Sequence, residues 1–98
     1  MSAADMLDRA IRALDERGWC QGCFEDRGGR ICLQGAVRVG MGATPKTWPD
    51  GDQAEVYRPL RAAIGTSAVS DWNDRPERTQ VEVRAALVAA RDLARAEQ

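Results

Sequence analysis

Two stretches of the chain, one near each end, repeat apolar side chains at helical spacing, and together they commit it to a helical frame. Within residues 3–17, Met6, Leu7, Ala10, Ile11 and Leu14 recur every three or four positions, with Asp8, Arg9, Arg12 and Asp15 on the outer face. Ser2 stands where an N-cap is needed and Gly18 where the helix stops. Near the other end, Thr79-Gln-Val-Glu82 is a capping box, in which a hydroxyl and a carboxylate satisfy free backbone amides reciprocally. The helix it opens is predicted over 80–96, with Val83, Leu87, Ala90 and Ala94 on one stripe, widened by Ala86 and Leu93.

The period changes between these helices. Gly28-Gly29 suits a tight turn, so a β-hairpin is expected at 23–32. Alternation puts Phe24, Asp26, Ile31 and Leu33 on one face of it and Cys23, Glu25 and Cys32 on the other. Leu33, Ala36, Val37 and Gly40 fit a helix as well as a continued strand, and a short helix is expected at about 33–40. Gly42, Pro45, Pro49 and Asp50-Gly51 mark a loop. A further helix is predicted within 53–65 through Val56, Leu60, Ala63 and Ile64, with Pro59 either in its first turn or kinking it. Residues 67–78 are rich in turn formers. The expected fold is therefore mainly α with a small β-hairpin, an α+β arrangement of four short helices around one core. At 98 residues it makes a single globular domain, 1–98.

Fourteen basic and fifteen acidic residues are spread evenly, so no basic stripe forms and nucleic acid is not an expected partner. No stretch approaches the ~18 apolar residues of a membrane span. The first residues lack the basic head and apolar middle of a secretory signal, so a cytoplasmic location is expected.

Cys20, Cys23 and Cys32 fall close together in a chain with no histidine. As zinc ligands they supply three thiolates of a tetrahedron, with Asp26, Asp71 or Asp74 as the fourth ligand to be found. Cys20-x-x-Cys23 also has the spacing of a thiol-redox pair, although it follows a helix instead of opening one. A nucleophilic Cys20 with Gln21 as oxyanion donor lacks the usual imidazole and would need a carboxylate base. The plainest role for all three is as small apolar side chains packed near Trp19 and Phe24. Among the tryptophans, Trp72 in Asp71-Trp-Asn-Asp74 reads as a plug closing the core. Trp48, between Thr47 and Pro49 in the long loop, reads as an exposed anchor for a partner.

Taken in order, Trp19-Cys20-Gln21-Gly22, then Cys32-Leu-x-Gly35-Ala36, then Trp72-Asn73-Asp74 ahead of the capped last helix resemble a small uncharacterised domain family found in actinobacteria and their phages. The resemblance runs from the first helix to the last. It features the cysteines matching Cys20 and Cys32 and leaves Cys23 outside the pattern. It implies that Cys32 starts a helix, and it carries no assigned activity.

The expected structural junction joins Trp19, Cys20, Gln21 and Cys32 to Trp72, Asn73 and Asp74, with the two motif segments meeting in space. The expected function is a non-enzymatic protein-interaction module, a phage-encoded or bacterial accessory protein, with Trp48 as the partner-binding residue and no cofactor. A second copy through the alanine-rich last helix is an additional candidate partner. The alternative is a structural zinc or thiol-redox site at Cys20, Cys23 and Cys32.

Overall fold

The computed structural model of the protein describes residues 1–97. Ser2 and Asp5 close a capping box that opens α1, Ala3–Arg17, and the Gly18 amide returns to the Leu14 carbonyl to end it. Four more helices follow: α2 (Leu33–Gly40), α3 (Ala54–Ile64), α4 (Val69–Asn73) and α5 (Gln80–Ala96), the last opened by the Thr79–Glu82 box. α1 lies between α2 and α5, and α3 packs on α5 and also touches α1. The core is built from Leu7, Ile11 and Leu14 of α1, Leu33 and Val37 of α2, Val56 and Leu60 of α3, and Val83 and Leu87 of α5.

The expected hairpin at 23–32 is absent; no strand or sheet forms among the described residues. Cys32 explains why. The only backbone bonds on the hairpin side among the described residues run from the Asp26 amide to the Arg30 carbonyl and from the Cys32 amide to the Phe24 carbonyl, and Cys32 is already the N-cap of α2. The Ile31 amide and carbonyl face the other way and bond Gly18 and Cys20 at 3.0 and 3.1 Å. What survives is an isolated parallel bridge to Trp19 and an isolated antiparallel bridge to Glu25. The next residue, Cys32, already turns into α2. The tight turn itself is displaced by one residue from Gly28-Gly29, because the Gly29 amide bonds the Asp26 carbonyl and makes Arg27 and Gly28 its central pair. Asp26 locks this turn by accepting from the Gly28 and Arg30 amides and from Arg30 Nε. Phe24 therefore leaves the apolar face it was expected to share with Ile31 and Leu33 and stands exposed, while those two are fully buried.

The expectation of four helices is corrected in a second way by α4, a single turn within the segment read as turn-rich. Five residues are too few to show a period, but Val69 and Asn73 stand four apart and are both buried on its inner face. Pro59 sits in the second turn of α3, beyond the first turn where proline is harmless, and cannot donate to the carbonyl four residues back.

α2 is bound closely to α1. A Cβ on Gly40 would collide with the Met6 carbonyl and press on Ala10, so glycine is what allows the two backbones to approach there. α1 and α5 are antiparallel, as their ion pairs show. Arg84 bonds Asp15 at 2.9 and 3.1 Å, while Arg91 and Arg95 bond Asp8 at 2.8 and 3.1 Å.

The hydrogen bond from Arg91 holds the Asp8 carboxyl below the usual carboxylate range, and that from Arg84 does the same for Asp15. A depressed folded pKa contributes stability that is complete above the unfolded value, about 4, and is lost as the pH falls through the folded value. Both pairs are partly exposed, which screens them and keeps the effect small. Asp8→Asn is expected to lower the urea midpoint at pH 6. The gap from the parent protein should close towards pH 3, and a gap that stays constant with pH would show that the ion pair is not its source.

Candidate functional site

Two constellations stand out, and they share a wall. The first is the junction between the loop after α1 and the end of α4. Asn73 is completely buried. Its Oδ1 accepts from Trp19 Nε1 at 2.7 Å and from the Leu33 amide at 3.0 Å. Its Nδ2 donates to the Cys20 carbonyl at 3.2 Å and to Asp74 Oδ1 at 2.9 Å. All four hydrogen-bonding positions of the carboxamide are thereby filled. Gln21 Nε2 adds bonds to the Asn73 and Arg75 carbonyls, and the Gly22 amide donates to Asp74 Oδ1. The structure thus brings the Trp-Cys-Gln-Gly segment onto the Trp-Asn-Asp segment by direct bonds. Trp72 is half-buried against the core, with the Arg78 guanidinium 3.8 Å over its ring.

Cys32 takes part as the N-cap of α2, its Sγ accepting from the Gly35 amide at 3.3 Å. Gly35 has its own reason: a Cβ there would lie 2.6 Å from the Phe24 carbonyl, so the loop could not lie against α2. Cys20 Sγ lies 3.7 Å from Cys23 Sγ and donates to the Arg30 carbonyl. All three thiols are free. Burial, with the neighbouring Cys23 sulfur, pushes the Cys20 thiol up to about 12, and burial raises that of Cys32. Both are protonated at neutral pH, the form that is not nucleophilic. Among the described residues no group of three or more Cys, His, Asp or Glu side chains gathers to hold a metal ion. Of the carboxylates considered as a fourth ligand, Asp26 and Asp74 are spent on the loop amides described above, and Asp71 lies elsewhere, on the rim of the second constellation.

That second constellation is a cleft of about 730 Å³. α2 packs on α1 and α3 on α5, leaving a gap between α2 and α3 that Trp48 and the residues before α3 border on one side and the start of α4 on another. In its wall lies Arg38, only 2% exposed. Its Cζ is 3.9 Å from the Trp48 ring centre and 4.3 Å from that of Phe24, so the guanidinium is held between two aromatic rings. Nη1 donates to the Pro45 carbonyl at 3.0 Å, whereas the buried Nε has no hydrogen-bond partner among the described residues. The Tyr57 hydroxyl, lining the same cleft, is likewise buried without a partner. Burial raises its pKa, so it remains a protonated phenol and a donor. Cation–π contacts of about 0.5–2 kcal/mol each offset part of the cost of burying Arg38, but no carboxylate neutralises it among the described residues.

Trp48 is 64% exposed at the edge of this cleft. Arg38 and Tyr57 were not singled out from the sequence. The available signal was Gln34 and Arg38, four apart in the otherwise apolar run Leu33–Gly40 and both buried on the helix face towards the cleft.

This helical chain belongs to a family of unknown function. The family is DUF6197, whose model matches residues 1–93. No curated protein and no solved structure matches the chain. No helix among the described residues is long and apolar enough to cross a membrane.

Asn73→Leu keeps the volume but strands the Leu33 amide and the Cys20 carbonyl. At about 1–3 kcal/mol for each buried unpaired group, the loss should be about 3 kcal/mol, read as a fall of more than about 10 °C in Tm. A change within about 3 °C would show that the carboxamide does not hold the junction. Iodoacetamide at pH 8 should label Cys23 alone in the native protein and all three cysteines in denaturant. Rapid native labelling of Cys20 would show an activated thiol instead.

Proposed function

We propose that the protein is a non-enzymatic interaction module that captures a protein partner at the cleft beside Trp48, acting as an accessory protein in the bacterial or phage-infected cytoplasm. The observation that carries this reading is Trp48, exposed at the mouth of a cleft and braced from within by the Arg38 guanidinium. A ring held in place loses less conformational freedom on binding, and tryptophan is among the residues most enriched at the energetic centre of interfaces. Phe24, also exposed and stacked on Arg38, extends the apolar surface. The zinc or thiol alternative at Cys20, Cys23 and Cys32 draws less support, since two of the three sulfurs are buried and engaged with the backbone.

The parent protein and Trp48→Ala, immobilised in parallel, should capture different sets of proteins from a bacterial lysate. At least one partner is expected to be retained by the parent and lost from the variant, with the far-ultraviolet circular dichroism of the two unchanged. Identical recovery on both would reject the Trp48 surface.

A further inference from the structure

The cleft beside Trp48 holds a cation that no carboxylate among the described residues neutralises. Arg38 is 2% exposed and joins none of the ion pairs among the described residues, although twelve other arginines and many carboxylates were available to the fold. The rings of Phe24 and Trp48 cover its guanidinium and its Nε is sealed from solvent, so an acceptor reaches that donor only by displacing one of these two exposed rings. Nη1 is committed to Pro45 and Nε is unused among the described residues. The Tyr57 hydroxyl is a second unused buried donor on the same cleft. Two buried donors without acceptors, one of them charged, describe a site whose complement is an anion offering more than one oxygen. The other charged lining groups, Arg61, Asp52 and Asp71, are exposed at the rim, where solvent and salt screen them.

We infer that this cleft receives the carboxyl terminus of a partner chain, with the terminal carboxylate at Arg38 and Tyr57 and the last side chain against Trp48 and Phe24. This rests on the reading of the cleft as the partner site. The choice of a terminus follows from the closeness of the donors to the aromatic wall. A chain terminus carries its carboxylate and an apolar side chain on one Cα, whereas an aspartate or glutamate side chain has no apolar group attached. The cleft, at about 730 Å³, is of the size that takes a small ligand, so it admits the end of a chain and not a whole helix. A carboxylate is planar and matches the guanidinium edge with two parallel bonds.

The test is titration of the ¹⁵N-labelled full chain with three probes: the hexapeptide Gly-Gly-Ser-Gly-Gly-Phe with a free terminus, the same peptide amidated, and free N-acetyl-phenylalanine. The acid peptide should shift the Arg38 Nε–H and Trp48 indole signals saturably, with the amide at least about tenfold weaker, as expected for loss of a charge-assisted hydrogen bond. Arg38→Gln should abolish the difference between acid and amide. Should that variant fail to fold, Tyr57→Phe serves, because it removes a hydroxyl that has no partner. It should weaken the acid peptide about threefold or more without lowering the Tm of the free protein. Equal binding of acid and amide, absence of saturable shifts, or binding unaffected by both variants would overturn the assignment. Binding of N-acetyl-phenylalanine but not of the hexapeptide would also overturn it, in favour of a small free acid. A Trp48-dependent protein partner together with equal acid and amide binding would refute the terminal carboxylate alone, whereas failure of Trp48-dependent capture would refute the interaction module.

Discussion

The carboxamide of Asn73 is the point from which the irregular half of this molecule is organised. It joins the indole of Trp19, the carbonyl of Cys20, the first amide of α2 and the carboxylate of Asp74, groups drawn from three separated parts of the chain. Each of these, buried without a partner, would cost more than a made hydrogen bond returns, so the arrangement is strongly conditional on the whole set being present. A helix of only five residues, α4, has little stability of its own. It persists because its last residue is the hub.

From that hub the placement of the cleft follows. Asn73 supplies an acceptor to the start of α2, and Cys32 caps the same end with its sulfur. Gly35 lets the Phe24 carbonyl approach α2, and Gly40 seats the far end of α2 on α1. With its axis determined at both ends, α2 turns Gln34 and Arg38 towards α3. Phe24, displaced from the expected hairpin face, is thereby brought to one side of Arg38, and Trp48 to another. The cysteines belong to this scaffold. Their sulfurs bond backbone groups that hold the loop against the helix, and the cleft lies beyond them.

The electrostatics divide in the same way. Arg84 reaches across to Asp15 of α1, Arg91 and Arg95 reach to Asp8 while also pairing with Asp92 beside them, and Arg78, ahead of α5, pairs with Glu82. The pairs to α1 set the antiparallel register of α1 and α5. Among the described residues Arg38 alone is a buried arginine without an ion pair, and a charge in that state is a constraint that the stability of the fold does not require.

What the residues determine locally is the helices that carry their own signals. α1 and α5 have long amphipathic periods and complete capping boxes, and both were legible with their ends. The span of α2 was legible too, while its start at Cys32 came from family resemblance and not from the period of a short apolar run. The meeting of Trp19-Cys-Gln-Gly22 with Trp72-Asn-Asp74 was likewise anticipated by motif order, since spacing alone contains no information on contacts more than fifty residues apart. Tertiary structure decided the rest. Whether residues 23–32 extend into a hairpin depended on where α2 begins: only the Asp26–Arg30 and Phe24–Cys32 backbone bonds form before the chain turns into the helix that Cys32 caps. Whether α4 forms depended on a buried acceptor at Asn73. Arg38 was invisible as a site because, in sequence, it is one of thirteen arginines. Only the packing of two aromatic rings around it, and the absence of an ion pair to it among the described residues, made it different.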